Sequence, residues 1–448
     1  MEPLRGDEAT VGRLDEPIVT RGCRVADASL DSFLDSGRHP RLAWTGDDAA
    51  IAAHGAAATV TAHGPNRFQS VRADAEALFE DRDVPDDLPR VARPRLFGGF
   101  AFHASGTDPS RSDLWNGFPD AAFFLPAVQL TRADDEIWLS VTATGPDAVT
   151  TARDRLETWE YRLSNTNGGP TRSQPAITAR RYRPSREGWR SQVRAALEQV
   201  ERGSLRKVVL AQALTLDLDA TPSVSAVLAS LGETYPDCRR FLFAPDAEGT
   251  FFGATPERLV SLQGRTVRTE ALAGSTGRGE TPAEDEWLVE QLLESEKDAH
   301  EHELVVDAIR DQLVPLASTV RTGERSIRRL ATVQHLRTKI TAELAADEHV
   351  LSLVDALHPT PAVGGLPPDA ALATIRETEA FDRGWYAAPV GWFDAAGNGS
   401  FAVALRSALV REAEATLFAG AGIVANSDPD AEWDEVQLKY RPILDELE

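Results

Sequence analysis

Hydrophobic side chains recur first at helical and then at strand spacing in the stretch that follows residue 185. Residues 187–202 repeat apolar positions every three or four residues, with Ser185 as a helix N-cap and Gly203 as a stop. Residues 207–218 come next, and their final part alternates leucine with polar side chains. The pattern predicts a helix followed by a long strand.

Further helices and strands are predicted towards the carboxyl end. Thr-Pro-Ala-Glu at 281–284 is a capping box with proline at the first helical position, and it opens a long helix predicted to end near Leu313. The last helix is predicted to begin at 428–429. Between these helices, 401–411 and 415–424 are apolar strands with a short polar break. Strands joined mostly by short turns, with helices set apart, favour an α+β fold.

A polar connection separates the earlier elements from the later ones. Residues 164–185 are rich in Asn, Gly, Pro, Thr, Ser and Arg, which is typical of an exposed link. The length of 448 residues and a hydrophobic content of 42% are enough for a substantial core. We expect one large domain over 1–448, with an amino-terminal part over 1–170 and a site-bearing part over 180–446.

The charge and composition exclude several classes of protein. The formal charge is -23 at pH 7, whereas proteins that bind nucleic acids or anionic membranes need clustered Lys and Arg. We find neither a run of 18 apolar residues nor a charged-then-apolar amino terminus, so we expect no membrane span, no signal peptide and a cytoplasmic location. Cys23 and Cys238 are too few for a disulfide framework or a cysteine-ligated zinc site.

Lysine is scarce in this chain. Lys207, Lys297, Lys339 and Lys439 are its four lysines, against 43 arginines. Because arginine keeps its proton in proteins, a lysine retained at the head of an apolar strand, Lys207, indicates an amine used as a base. Acid excess with few lysines also favours adaptation to a high-salt cytoplasm, where repulsion is screened within about 3 Å at 1 M salt. GC-rich coding is the alternative explanation of the arginine bias.

Two pairs of carboxylates lie three residues apart on predicted helices. Asp298 and Glu301 share a face of the long helix, and Glu432 and Glu435 share a face of the last one. Mg²⁺ typically takes one or two such carboxylates together with substrate oxygens and water. The alternative is a solvated helix face, which is common in a chain with 70 acidic residues.

Other polar residues stand at the ends or in the middle of apolar segments. Glu257 follows a strand in a turn with glycine and proline that can aim one acid inward. Arg406 stands in an apolar strand, where a guanidinium usually holds an anion. Glycine turns at 273–276 and 417–422 let backbone amides approach a carboxylate. The alternatives are an ordinary turn acid, an edge-strand salt bridge, common glycine turns and, for Lys439, a helix ion pair.

Familiar nucleotide and hydrolase motifs are missing from the sequence. It has no Walker phosphate loop, Rossmann glycine fingerprint or Gly-x-Ser-x-Gly elbow. His300-Glu301-His302 is not a zinc motif, because adjacent and i,i+2 positions point apart on a helix. Nucleotide-binding and serine-hydrolase functions are therefore disfavoured.

Nine segments, taken in order, resemble the chorismate-utilising enzymes, and within them most closely the isochorismate synthases of the menaquinone type. The resemblance covers residues 185–445, with a thinner match upstream at FGGFAFH (97–103) and FFLPAVQL (123–130). The matching segments are KVVLAQ (207–212), FGATPE (252–257), LAGSTGR (272–278), SEKDAHEHELV (295–305), VQHLRT (333–338), LHPTPAVGGLP (357–367), FDRGWYAAPVGWFD (381–394), GNGSFAVALRSALV (397–410) and LFAGAGIVANSDPDAEWDEVQLK (417–439).

The resemblance implies an architecture and a metal. It implies one large α+β domain of two stacked antiparallel sheets with helices outside, and a Mg²⁺-dependent site between them. In this family the residues matching Glu301 and Glu435 hold Mg²⁺ against the ring carboxylate. Asp298 and Glu432 stand where they would support the metal or bridge to it through water.

The resemblance also implies a reaction. Lys207 would activate water for attack at C2 of chorismate, while Glu257 would protonate the departing C4 hydroxyl, giving isochorismate. A dianionic substrate suits a metal, cationic side chains and strand-end amides. The residues implied to contact the substrate are Gly274, Ser275, Ala362, Arg406, Gly420 and Lys439.

Departures from related families disfavour amination. Anthranilate synthases carry glutamine where Lys207 stands and deliver ammonia. Aminodeoxychorismate synthases often place a nucleophilic lysine where Ala273 stands. Both aminating families favour a Ser-Gly, Gly-Ala-Pro-Lys type of segment where this chain has PTPAVGG (359–365). We therefore expect no glutaminase subunit.

Two alternatives stay open beside an isochorismate synthase. Salicylate synthases share the lysine, glutamate and metal residues and add pyruvate elimination, although the HPTPAVGG segment favours isochorismate. A non-catalytic chorismate-binding subunit would lack at least one essential group, and all of them are present. We expect a monomeric enzyme that supplies menaquinone biosynthesis, with siderophore or salicylate routes as alternatives.

Overall fold

Antiparallel strands with helices packed around them make up the computed structural model, which describes residues 16–46, 48–104, 113–165 and 175–448. The expected α+β class is confirmed. The strands in these ranges are β1 Ile18–Val25, β2 Arg41–Thr45, β3 Ala50–Ala62, β4 Arg82–Asp83, β5 Arg95–Phe100, β6 Ala121–Ala133, β7 Glu136–Thr144, β8 Ile177–Arg183, β9 Lys207–Leu218, β10 Arg239–Ala244, β11 Thr250–Thr255, β12 Arg258–Gln263, β13 Thr266–Gly277, β14 Ala317–Arg329, β15 Val333–Leu344, β16 Gly365–Leu366, β17 Pro389–Asp394, β18 Gly399–Val403, β19 Ser407–Arg411 and β20 Glu414–Ile423. The helices are α1 Leu30–Asp35, α2 Arg67–Leu78, α3 Ala148–Asn165, α4 Arg186–Glu201, α5 Val224–Thr234, α6 Pro282–Glu294, α7 Glu296–Leu313, α8 Val350–Leu357, α9 Pro368–Thr378 and α10 Pro429–Leu444.

The strands form one hydrogen-bonded network in which two long arms meet at β6, where a shorter branch of β7, β1 and β4 also begins. The first arm runs from β6 through β3, β2, β10, β11, β19 and β20 to β9. The second arm runs from β6 through β5, β17, β18, β12, β13 and β15 to β14. The two expected sheets thus correspond to two arms of a continuous network, because β6 pairs with both β3 and β5.

Strands from the start of the chain are interleaved with strands from its second half. β2 pairs with β10, and β5 pairs with β17. The division into an amino-terminal and a site-bearing part stays a prediction. The second half of the predicted exposed link is mostly exposed, but it also contains the strand β8, which hydrogen-bonds along the edge of β9. Residues 166–174 of that link lie outside the described residues.

The predicted long helix after residue 281 is two helices that meet at Ser295. The capping box is confirmed, since the Thr281 side chain accepts a hydrogen bond from the Glu284 backbone N–H. Ser295 adopts an extended backbone, with φ -66° and ψ 109°, and closes α6 by donating its N–H to the Gln291 carbonyl. Its side chain then caps α7 by accepting from the Asp298 N–H. One serine therefore both ends a helix and begins the next.

Other predicted elements agree with the structure, with one exception. α4 begins after its Ser185 cap, β9 has the predicted bounds, and α10 begins after Asp428. The predicted strand over 401–411 is instead β18 and β19, separated by a turn in which Arg406 has φ 49°. In the described part of the chain, no helix is long and apolar enough to span a bilayer.

Candidate active site

A pocket is lined by strands of both arms and by α7 and α10. Asp298 and Glu432, predicted as supporting residues, do not line it. The structure therefore brings the ten principal predicted residues together, while their individual roles stay predictions. These residues are Lys207, Glu257, Gly274, Ser275, Glu301, Ala362, Arg406, Gly420, Glu435 and Lys439.

Lys207 is the first residue of β9 and is almost completely buried, at 2% exposure. Its Nζ donates to Glu301 Oε1 on α7 over 2.7 Å. Gly422, on the neighbouring strand β20, leaves room for the lysine, since a Cβ there would lie 3.0 Å from Lys207 Cε. The geometry gives a buried amine at the pocket wall, held by one carboxylate.

Glu257 lies in the turn between β11 and β12, inside the pocket. Its N–H donates to Thr255 Oγ1 over 3.2 Å, and its carbonyl accepts from the Val403 N–H over 3.1 Å. Burial, followed by the nearby charge of Glu270, raises the pKa of Glu257 to about 7, against the opposing effect of Lys207. A carboxyl with this pKa is partly protonated near neutral pH and can donate a proton.

Gly274 lets α7 approach β13 closely. It forms a β-bulge with φ 75°, where the β13–β15 register shifts between Ala273 and Ser275. A Cβ at this position would lie 3.1 Å from Asp298 Cβ. Asp298 is itself held by Ser295, whose Oγ donates to Asp298 Oδ2 over 2.5 Å. The bulge therefore sets how closely the helix bearing Glu301 sits against the pocket.

α10 presents Glu435 and Lys439 to the pocket from the other side. Lys439 Nζ lies 2.6 Å from Glu435 Oε1 and donates to the Gly420 carbonyl over 2.8 Å. Ser275 Oγ also donates to Glu435 Oε1, over 3.4 Å. Burial favours a higher pKa for Glu435, but the Lys439 ammonium outweighs it, and the pKa is lowered. Glu435 is therefore held as a carboxylate.

Arg406 offers a cationic side chain to the pocket from the β18–β19 turn. Only 9% of the residue is exposed, and burial lowers the pKa of its guanidinium. Within the described residues, no carboxylate forms a salt bridge with Arg406 of the kind that Lys207 and Lys439 make. A buried guanidinium facing a cavity is suited to hold a carboxylate of a ligand.

Sequence reasoning gave no role to three polar residues that line the pocket, His335, Arg383 and Tyr386. Burial, then Arg406 and Lys439, lower the pKa of His335 to about 3, so its imidazole is neutral. Burial raises the pKa of Tyr386, which keeps its hydroxyl protonated. Arg383 and Tyr386 stand in FDRGWYAAPVGWFD (381–394). An arginine among aromatic residues in this segment is the sequence feature that indicates a functional position there.

The charges around the pocket suit an anionic ligand, and its acids offer oxygen donors for a metal. Four cationic side chains and three acids line the pocket, in a chain whose formal charge is -23. Among the described residues, no three His, Cys, Asp or Glu side chains group as a metal site. Glu301 and Glu435 nevertheless supply two hard-oxygen donors, and Mg²⁺ needs no more than one or two carboxylates when substrate and water complete its shell. The donor set therefore fits Mg²⁺.

The fold and the pocket define a chorismate-binding enzyme. The model of the family "Chorismate binding enzyme" matches residues 25–448, and this chain belongs to that family. The resemblance found in the sequence is thus confirmed at the level of the family.

Named relatives within the family are isochorismate synthases. The salicylate biosynthesis isochorismate synthase of Pseudomonas aeruginosa is 37% identical over 464 residues, covering 100% of this chain and 94% of that protein. The isochorismate synthase MenF of Bacillus subtilis is 36% identical over 362 residues, covering 79% of this chain and 74% of that protein.

Solved structures share the fold over nearly the whole chain. MenF, the menaquinone-specific isochorismate synthase of Escherichia coli, has a TM-score of 0.81 at 27% identity, covering 97% of this chain and 95% of that chain. Anthranilate synthase component I of Streptococcus pneumoniae has a TM-score of 0.73 at 18% identity, covering 89% and 92%, which supports the shared fold alone.

Proposed function

We propose that this protein is a Mg²⁺-dependent isochorismate synthase, an isomerase that converts chorismate to isochorismate. The observation that supports this most directly is a single pocket that holds a buried amine, Lys207, and a buried acid with a pKa of about 7, Glu257. Exchange of a hydroxyl between two ring carbons needs one base and one acid at the same ring. The isochorismate synthases among the relatives support the same reaction.

In the proposed reaction, Lys207 and Glu257 move one proton each. The neutral amine of Lys207 takes a proton from a water molecule as the water oxygen bonds to C2 of the ring. The ring double bonds shift, and the C4–O bond breaks as Glu257 gives its proton to the departing oxygen. One water enters and one water leaves, so the product has the composition of the substrate.

The remaining pocket residues are proposed to hold the two carboxylates of chorismate. Arg406 and Lys439 supply positive charge, and Ser275 supplies a hydroxyl. The bulge at Gly274 and the strand at Gly420 bring backbone close to the ligand. Because the proposed nucleophile is water, we propose that the enzyme needs no glutaminase subunit.

Glu301 and Glu435 are proposed to hold Mg²⁺ at the pocket wall. When bound, Mg²⁺ would supply positive charge to neutralise a substrate carboxylate. In the structure each glutamate instead pairs with a lysine, at 2.7 Å for Glu301 and 2.6 Å for Glu435. Asp298 and Glu432 would act through the positions of these ligands, since neither lines the pocket.

Removal of one proposed metal ligand provides a test that does not depend on turnover. Glu435→Ala is expected to weaken Mg²⁺ binding, measured by titration calorimetry, by about 10-fold or more, since even indirect metal contacts are worth about 10- to 100-fold. Asp434→Ala is the matched control, because Asp434 is exposed on the same helix and carries the same charge. Equal Mg²⁺ affinity in Glu435→Ala and the parent would contradict the metal assignment.

The product distribution distinguishes the proposed function from a salicylate synthase. Purified protein incubated with chorismate and Mg²⁺ is expected to give isochorismate as the main product, resolved by chromatography. Salicylate and pyruvate as the main products would contradict it. We propose menaquinone as the route, supported by the MenF relatives; unchanged menaquinone after disruption of the gene would contradict that assignment.

A further inference from the structure

One edge of β9 has a gap between its strand partners. The edge pairs with β16 at Lys207 and Val208, and with β8 only from Ala213 onward. The Val209 N–H still donates to the Gly364 carbonyl just before β16 over 2.9 Å, and beyond it no strand of the described residues lies against this edge at 210–212. The gap is next to the proposed base, so whatever fills it affects how precisely Lys207 is held.

A buried ion pair occupies the gap. Arg383 Nη2 donates to the Val209 carbonyl over 2.7 Å, and Glu379 Oε1 accepts from the Ala211 N–H over 2.8 Å. The two side chains bind each other with Arg383 Nη2 2.5 Å from Glu379 Oε1 and Nε 2.9 Å from Oε2. Their side chains are 1% and 2% exposed. The pair thus makes the hydrogen bonds that a neighbouring strand would otherwise make.

Arg383 also holds a second wall of the pocket. Its Nη1 donates to the Val363 carbonyl over 2.8 Å, directly after Ala362, which lines the pocket. The guanidinium lies over the Phe102 ring, 4.3 Å from its centroid. One rigid, planar group therefore ties the strand that begins with Lys207 to the segment that carries Ala362.

We propose that Arg383, oriented by Glu379, is a positioning residue that fixes the Lys207 strand and the Ala362 segment relative to each other for the reaction. This inference rests on the proposed function. The pair satisfies buried backbone groups of both walls, which contributes to stability. It also fixes the geometry of the two walls, and a displacement of about 1 Å can cost about 10²-fold in rate.

Arg383→Lys tests the proposal, because lysine keeps the charge but cannot bind Glu379, Val209 and Val363 in one plane. We expect kcat to fall by about 10- to 100-fold, with a much smaller change in KM. Hydrogen exchange of the amides over 207–212 and 359–364 is expected to become faster. Arg240→Lys is the matched control, since Arg240 is a half-buried arginine that donates to the Leu228 carbonyl over 2.9 Å outside the pocket. It should change neither kcat nor the exchange of those amides.

The two readouts separate the positioning role from the proposed function. Faster exchange with an unchanged kcat would overturn the positioning role, and so would unchanged exchange. If the parent did not convert chorismate, the proposed function would fail, while the exchange of 207–212 would still report whether Arg383 holds β9. If Arg383→Lys did not fold, Glu379→Gln would carry the same test, because its amide oxygen can still accept from Ala211 while the ion pair is lost.

Discussion

Lys207→Ala is expected to lower kcat for chorismate by about 10²- to 10⁴-fold, the range that a positioned base typically contributes. The physical reason is that no other cationic side chain of the described lining can take over as the base. Arg383, Arg406 and Lys439 are the other cations of the lining, and guanidinium groups keep their protons. Lys439 is already engaged elsewhere, because its Nζ pairs with Glu435 and donates to the Gly420 carbonyl. Initial rates measured with saturating chorismate and Mg²⁺ give the comparison.

Lys339→Ala is the control for removal of a lysine. Lys339 is exposed on β15 and does not line the pocket. Its loss is expected to leave kcat unchanged, and thermal unfolding of both variants checks that they fold. Turnover by Lys207→Ala at the rate of the parent would refute the assignment of Lys207 as the base.

Glu257→Gln is expected to lower kcat by a similar factor, about 10²- to 10⁴-fold, and to change the pH profile. Since burial raises the pKa of Glu257 to about 7, its acid form persists up to neutral pH and is lost as the pH rises further. The parent should therefore lose kcat/KM on the alkaline side of about pH 7. Glutamine has no proton to give, so the variant should lack that alkaline limb.

Glu248→Gln is the matched control for the acid. Glu248 is exposed in the turn between β10 and β11, outside the pocket, so this variant should keep both the rate and the pH profile of the parent. An alkaline limb that stayed in Glu257→Gln would assign the titration to another group and remove Glu257 from the role of acid.

The sequence predicted local elements well where hydrophobic spacing and caps act together. The bounds of β9 and the Ser185 and Asp428 caps follow from periodicity and side chains that accept backbone N–H groups. The break at Ser295 was missed because serine inside a polar helix gives no strong stop signal, and its capping role depends on the direction of the next helix. The turn at Arg406 was missed because a positive φ, here 49°, is usually marked in a sequence by glycine, and this position holds an arginine.

The pocket was predictable in part of its members and not in its contacts. Motif order identified ten of the lining residues and missed His335, Arg383 and Tyr386. The pairing of Lys207 with Glu301 could not be predicted, because it requires β9 and α7 to meet although the two residues are 94 positions apart in the chain. Arg383 and Glu379 illustrate the same limit. In the segment directly after α9 they have the spacing of an ordinary i,i+4 ion pair, and their contact with β9 appears only in the folded chain.

The oxygen that enters the product provides the most direct test of water activation. A single turnover of unlabelled chorismate in H₂¹⁸O, with Mg²⁺ and the parent protein, can be followed by mass spectrometry of the isochorismate formed. Attack by water at C2 and loss of the C4 hydroxyl predict one ¹⁸O atom in the product, located at the C2 hydroxyl. Isochorismate without ¹⁸O would show that the hydroxyl migrates within the substrate, and would contradict the proposed roles of Lys207 and Glu257.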